Sequence, residues 1–312
     1  SLARVAGAKV VVLGVPSDVG AGFCRGASFG PQAIRRALLG DPSSRYSGDG
    51  VVDVGDVRVV PQLLDDAMLS EAQLAASREA IYGSADDPSP VSPLSVAAAA
   101  LRVVRRVAPQ AAPLVLGGDH SVSWPALAAV ARGREDRLGI LHFDAHTDLL
   151  ETRLGVRYCF ATWAYHANDV IGRGGKLVQV GVRISAHDRA HWESTLDVRQ
   201  HWAADANARE PSELAAEIVD HLRARGVEGL YISNDIDGTD PRYASATGTP
   251  EPGGLHPDLV STLLAEVGGA FELWGSDLVE VAPPLAGQVQ GEPLTTLRTA
   301  ARYIEDQLAL SV

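Results

Sequence analysis

Residues 138–148 read Leu138-Gly139-Ile140-Leu141-His142-Phe143-Asp144-Ala145-His146-Thr147-Asp148. A short apolar run predicts a buried strand over 138–143, and it gives way at once to two acids and a histidine in strict alternation. Working outward, similar apolar runs rich in Val, Ile and Leu recur at 10–15, 51–54, 113–116, 177–182, 229–233 and 273–279. Helical periodicity occupies 32–39, 94–107, 124–132, 213–225, 259–267 and 297–308. Pro31 stands where a first helical turn tolerates it, and Gly226 follows a helix ending in Arg225. Near-continuous apolar strands alternating with helices predict an α/β fold, a mostly parallel sheet covered on both faces. There is no internal repeat. The linker-like stretch 83–93 is too short to separate domains, so residues 1–312 read as one domain.

Bulk properties narrow the function. An apolar content of 46% with 21% charged residues is too polar for a membrane bundle. No apolar run approaches the roughly 20 residues that span a bilayer, and the segment 9–15 is too short for a signal-peptide core. A net charge of −12 argues against a nucleic-acid partner, which needs a basic stripe, and weakly favours cationic ligands. Two cysteines, Cys24 and Cys159, cannot build a disulfide framework, so the expected compartment is a reducing cytoplasm.

Three polar clusters follow predicted strands, at the edge of an α/β sheet where ligands bind. They are Gly117-Gly118-Asp119-His120-Ser121, then Asp144-Ala145-His146-Thr147-Asp148, then Asp235-Ile236-Asp237-Gly238-Thr239-Asp240-Pro241. In extended backbone, residues two apart share a side, so Asp144, His146 and Asp148 converge, as do Asp235 and Asp237. Each cluster alone reads as a turn or a solvated loop. Together they gather four carboxylates and two imidazoles, with His120, at one sheet edge. Such crowding is costly without cations, and two bridged divalent ions remove the cost. The mixed oxygen and imidazole donors suit Mn²⁺, with Ni²⁺, Co²⁺ or Zn²⁺ as alternatives by ligand type. A metal pair activates water for attack, which predicts a hydrolase.

Two other patterns are weaker. His187-Asp188-Arg189-Ala190-His191 has zinc-helix spacing but lacks the glutamate after the first histidine, and reads as a surface helix. The glycines of 14–22 form no Gly-x-Gly-x-x-Gly turn, so a dinucleotide cofactor is not expected.

The motifs GGDHS at 117–121, HFDAHTD at 142–148 and SNDIDGTDP at 233–241 resemble the three metal signatures of the ureohydrolases. That family comprises arginases, agmatinases, guanidino-acid hydrolases and formimidoylglutamase. The likeness extends to Gly14-Val15-Pro16 with 25–35, to the loop 248–255, closest to the agmatinase-like branch, and to Asp277–Pro283. The resemblance implies a three-layer α/β/α fold around an eight-stranded parallel sheet, assembled as homotrimers or homohexamers. It implies two Mn²⁺ per chain: His120, Asp144, Asp148 and Asp235 on one, Asp144, His146, Asp235 and Asp237 on the other. Asp148 also orients the water under activation, and Glu280 meets the NH₂ groups of a small cationic guanidino substrate, a planar fork that suits a carboxylate. Asp148 and Glu280 are thus the expected catalytic residues.

The substrate shell departs from the family pattern. A His-Gly-Thr or His-Gly-Gln segment is common downstream of the second motif, its histidine acting as a proton shuttle. Here Phe160-Ala161-Thr162 stands there, which puts Phe160 and Thr162 at substrate-contacting positions. Cys159 and His166 are the nearest replacement shuttles, and His166 has the better pKa for it. An acidic residue frequent after the proline of the last motif is replaced by Pro284-Leu285-Ala286-Gly287. The expected reaction is hydrolysis of a guanidino compound other than arginine to urea and an amine. A formimino or amide C–N bond is the alternative, and a non-catalytic metal-binding subunit a third. No basic clamp supports a phosphatase. Loops 17–25, 149–162 and 184–191 read the substrate tail.

Overall fold

The polypeptide is described by a computed structural model over residues 2–287 and 289–311. Eight strands form a single sheet: β1 (Val10–Val15), β2 (Val51–Asp56), β3 (Ala112–Gly117), β4 (Leu138–Phe143), β5 (Leu177–Val180), β6 (Arg199–His201), β7 (Gly229–Asp235) and β8 (Glu272–Val279). Their order is β2-β1-β3-β8-β7-β4-β5-β6, and every pairing is parallel.

Period-2 geometry sends alternate side chains to opposite faces, and each face has its own apolar layer. Val12, Leu116, Phe143, Val180, Ile232 and Leu278 pack with Ile34, Ile218, Leu263 and Ile304 from helices Gly30–Leu39, Pro211–Arg223, Pro257–Gly268 and Leu294–Leu308. Leu13, Val115, Ile140, Leu177, Tyr231 and Val279 pack on the other side with Leu101, Leu127 and Trp163, from helices Pro93–Val107, Ser123–Ala131 and Trp163–Val170. The result is the three-layer α/β/α architecture that the motifs led us to expect.

The sequence reading missed β6 and four helices, and it met a fifth, Arg189–Leu196, only as the surface helix expected at 187–191. β6 is three residues long, polar and at the sheet edge, so it carries no apolar run. Helix Glu71–Tyr82 buries no residue, which removes the periodic stripe, although a Ser70–Gln73 capping box starts it. Leu2–Ala6, Trp163–Val170, Arg189–Leu196 and Ala203–Asn207 are each eight residues or fewer. The linker-like stretch 83–93 joins two helices, the second of which already begins at Pro93.

The strand order makes β3, β8, β7 and β4 the four central strands, and the connections leave from them in opposite directions. Their carboxyl ends therefore flank the crevice at which α/β sheets bind ligands. One backbone approach fixes how the first motif leaves β3. A Cβ on Gly118 would lie 1.7 Å from the Ser17 carbonyl oxygen, so the motif and the loop after β1 touch main chain to main chain. Asp119 N donates to that same oxygen at 2.8 Å.

Gly118→Ala should therefore destabilise the protein by about 3 kcal/mol or more, because neither backbone can retreat without moving His120. Chemical denaturation measures it, and a change within about 0.5 kcal/mol would contradict the close approach.

Candidate active site

All six expected ligands meet at the ends of β3, β4 and β7. His120 opens a short 3₁₀ turn after β3, and its Nδ1 lies 3.2 Å from Asp144 Oδ2, 3.2 Å from Asp148 Oδ2 and 3.0 Å from Asp235 Oδ2. His146 Nδ1 lies 3.3 Å from Asp144 Oδ1 and 3.1 Å from Asp237 Oδ2. His120 and the four aspartates are buried, while His146 is partly open to solvent.

The residues converge for a reason other than extended alternation. β4 ends at Phe143, and the chain then turns: His146 N donates to Asp144 Oδ1 at 2.6 Å, and Asp148 sits at φ 51°. β7 ends at Asp235, and Asp237 lies in a 3₁₀ turn whose N–H donates to Asp235 Oδ1 at 2.8 Å. Side-chain-to-backbone turns of aspartate thus replace the pleat. The two turns are cross-linked by Ala145 N donating to Asp237 Oδ1 at 3.1 Å. Arg183 clamps the second turn by donating to the carbonyls of Asp237, Gly238 and Glu251.

Glu280 closes the site from the end of β8. Its backbone is left-handed at φ 61°, its N–H donates to Gly118 O, and its Oε1 accepts from His120 N at 2.9 Å. Asp148 and Glu280 are therefore both held in a region that costs a non-glycine residue about 1–3 kcal/mol, a pattern common at functional sites. Thr249 donates to Asp237 Oδ2 at 2.8 Å, which hangs the loop 248–250 beside Glu280.

Sequence reasoning assigned no role to five groups. Trp163 Nε1 donates to Asp148 Oδ2 at 3.1 Å, and its ring stacks on His120 at 4.7 Å. Ser233 Oγ contacts His120 Nε2 at 2.9 Å and donates to Asp277 Oδ1 at 2.9 Å. Tyr231 donates to the other oxygen of Asp277 at 2.5 Å. Because Ser233 gives its proton to Asp277, its oxygen accepts from His120 Nε2–H, which turns Nδ1 to the carboxylates. His142 bonds Asp144 Oδ2 at 2.8 Å. Ser233 and His142 each lie two residues before an aspartate, on the same strand face, and a polar residue at that spacing in an apolar strand was the available signal.

Other expectations are corrected. Thr162 is fully buried, and its hydroxyl accepts from Cys159 N and donates to Cys159 O, so it closes a turn instead of meeting a substrate. His166 is a buried structural histidine: Nε2 contacts the carbonyls of Glu151 and Arg157, and its ring packs against Trp124, Tyr158 and Tyr165. Burial holds its pKa below the usual value, and none of its contacts is a cluster residue. Phe160 N donates to Gly20 O at 3.0 Å, its ring lies against Gly22, and the Arg153 guanidinium covers it at 5.0 Å. His187 and His191 stack at 3.9 Å at the start of helix Arg189–Leu196 and gather no third ligating group among the described residues.

The electrostatics call for cations. Burial, and then the charges of Asp237 and Asp144, push Asp235 well above the usual carboxylate range. Burial and the Asp119 charge do the same to Glu280. Burial alone would lower His146, but Asp237 and Asp144 outweigh it and push it up to about 12. His120 Nδ1, buried and ringed by three carboxylate oxygens, has no aligned hydrogen-bond partner. Two overlapping sets of ligating atoms result, Asp144, His146 and Asp237 in one, His120, His142, Asp144 and Asp148 in the other, and they share Asp144. Donor chemistry and orphaned nitrogen both fit divalent ions.

A parallel α/β/α sheet with a buried carboxylate and imidazole cluster at the ends of its central strands defines a metal-dependent hydrolase. The arginase family model matches residues 8–309, and the chain belongs to that family. It is 32% identical to the mitochondrial guanidino acid hydrolase of Homo sapiens over 89% of this chain and 72% of that one. It is 34% identical to the proclavaminate amidinohydrolase of Streptomyces clavuligerus, over 89% of this chain and 81% of that one. The solved structure of proclavaminate amidino hydrolase from Streptomyces clavuligerus superposes with a TM-score of 0.76 at 28% identity, covering 98% of this chain and 92% of that one.

The raised pKa values set the sign of metal binding. At neutral pH the metal-free site holds a proton on His146, and the upward shifts of His120 and Asp235 add to the protons that ions must displace. Mn²⁺ binding should therefore release protons, and its apparent affinity should rise with pH. Calorimetry in buffers of different ionisation enthalpy counts them, and an affinity flat from mildly acidic to mildly basic pH would contradict the arrangement.

Proposed function

We propose that this protein hydrolyses a small cationic guanidino compound, other than arginine, to urea and an amine. The observation that carries the reading is the placement of Glu280 beside a cluster of four aspartates and two histidines, with one carboxylate oxygen tied to His120 N. The names of the relatives, a guanidino acid hydrolase and an amidinohydrolase among them, support it.

In this reading His120, Asp144, Asp148 and Asp235 hold one Mn²⁺, and Asp144, His146, Asp235 and Asp237 hold the other, with Ni²⁺ or Co²⁺ as substitutes. When bound, the ions supply Lewis acidity to the water and to the C–N bond under attack. The chain's own groups do the rest. Asp148, fixed by the Trp163 indole, orients the attacking water. Glu280, whose carboxyl burial and Asp119 hold above the usual range, supplies negative charge once a guanidinium is beside it, which favours a cation over a neutral amide. The proposed protein is a single domain over 1–312, a cytoplasmic homotrimer or homohexamer.

The mouth is where arginine is excluded. Phe160 cannot relay a proton, and with Arg153 over its ring it lines the entrance with an apolar surface and a cation. Neither Phe160 nor Arg153 offers a counter-charge to arginine's α-ammonium. With His166 turned to structural use, proton transfer falls to solvent at the open side of His146.

Urea release from Mn²⁺-loaded protein, screened against arginine, agmatine, guanidine and guanidino acids of graded length, tests the reading. Arginine should be at least ~10-fold poorer in kcat/KM than the best substrate, a difference of about 1.4 kcal/mol. Arginine as the fastest substrate would defeat the specificity, and no urea from any of them would defeat the substrate class.

Glu280→Gln keeps the size and removes the charge. It should cost about 2–4 kcal/mol of transition-state binding, roughly 30- to 1000-fold in kcat/KM. Metal content by elemental analysis should stay near that of the parent. Normal turnover by this variant would move a neutral amide to the front.

A further inference from the structure

A row of buried polar side chains crosses the sheet behind the site and ends on Asp144. Strand register aligns His142 of β4 with Gln179 of β5, and Gln179 with Gln200 of β6. All three are at most 1% exposed. Trp202 Nε1 donates to Gln200 Oε1 at 3.0 Å, and Gln200 Nε2 donates to Gln179 Oε1 at 2.8 Å. Gln179 Nε2 meets both the Thr147 carbonyl at 2.7 Å and His142 Nδ1 at 3.0 Å. His142 Nε2 then meets Asp144 Oδ2 at 2.8 Å.

The direction of every bond in this row is fixed from both ends. An indole N–H only donates, so Gln200 presents its oxygen to Trp202 and its amide protons to Gln179. A carbonyl only accepts, so Gln179 turns its NH₂ toward Thr147 and thus toward His142. His142 Nδ1 must accept, and its one proton sits on Nε2, pointed at Asp144.

We propose that the row Trp202, Gln200, Gln179 and His142 is a positioning relay that holds Asp144 for the metal pair. His142 is then not a ligand, although it lies within reach of the cluster, because one nitrogen carries a proton and the other receives one. Its N–H occupies one lone pair of Asp144 Oδ2, while His146 N occupies one of Oδ1. The remaining lone pairs face the sides of His120 and His146. Burying a chain of amides in a parallel sheet has no advantage for packing over apolar residues of similar volume. Orientation of a metal-binding carboxylate accounts for it, since partners of this kind tune affinity 10- to 100-fold. The inference rests on Asp144 being a ligand, as proposed above.

The test uses the full-length chain with ¹⁵N-labelled histidine, metal-free and loaded with diamagnetic Zn²⁺. Two-bond ¹H–¹⁵N correlations should show His142 protonated on Nε2 alone. Gln179→Glu replaces the donor facing His142 with an acceptor and should place a proton on Nδ1. That variant should bind Mn²⁺ roughly 10- to 100-fold more weakly by calorimetry. Trp202→Phe, altered only at the half-buried end of the row, should weaken Mn²⁺ binding in the same direction with the fold intact. His142→Gln should still take up two ions at saturation. A parent His142 protonated on Nδ1, parental Mn²⁺ affinity in both row variants, or loss of one ion in His142→Gln would each overturn the relay. Asp144→Asn separates the two readings: if it keeps both ions, the ligand assignment fails whatever the His142 spectrum shows.

Discussion

Four aspartates share a buried volume at one sheet edge, with two imidazoles between them. Ligating oxygens of Asp144 and Asp148, and of Asp144 and Asp237, lie within 4.8 Å of each other, a range at which like charges in a buried site repel strongly. The arrangement survives because each acid is tied by hydrogen bonds whose donors come from rigid elements. Asp144 takes His146 N and His142, Asp148 takes Trp163, and Asp235 takes Asp237 N. The cluster is a preorganised cation site, and the rest of the molecule is arranged to keep it so.

That requirement explains features that weaken the fold by themselves. Asp277 is fully buried on β8 with no cation beside it, yet it accepts from Tyr231, Ser233 and Asn234 N. Its charge sets the direction of the Ser233 hydroxyl and, through it, the tautomer of His120. Asp148 and Glu280 occupy left-handed backbone, and the surrounding hydrogen bonds over-determine both. A Cβ at Gly238 would lie 2.8 Å from Asp144 N, so the turns after β4 and β7 are packed backbone to backbone. Without that contact the two pairs of aspartates could not share one volume.

In the reading proposed here, specificity is built separately, on loops. Phe160 rests on Gly22 and beneath Arg153, so loops from β1 and β4 make one wall of the entrance. Loops can change there without touching the carboxylate and imidazole cluster, which stands on strand ends and short turns. Loops on a rigid scaffold can vary in this way without disturbing the elements beneath them.

The sequence by itself determined the α/β class, seven of the eight strands, and the residues that gather at the site. Those features are local: apolar runs mark buried strands, and acids and histidines placed just beyond them fall at strand ends. It also exposed the change at Phe160, a residue type and not a geometry. Only the tertiary structure decided how the acids converge, since aspartate turns replaced the pleat after β4 and β7. It likewise turned Thr162 and His166 to structural use, and it brought together partners distant in the chain. His142 meets Gln179 37 positions away, Tyr231 meets Asp277 46 away, and His120 meets Ser233 113 away. Such pairs are set by strand order and register, which a local pattern does not encode, and they decide where each proton of the site resides.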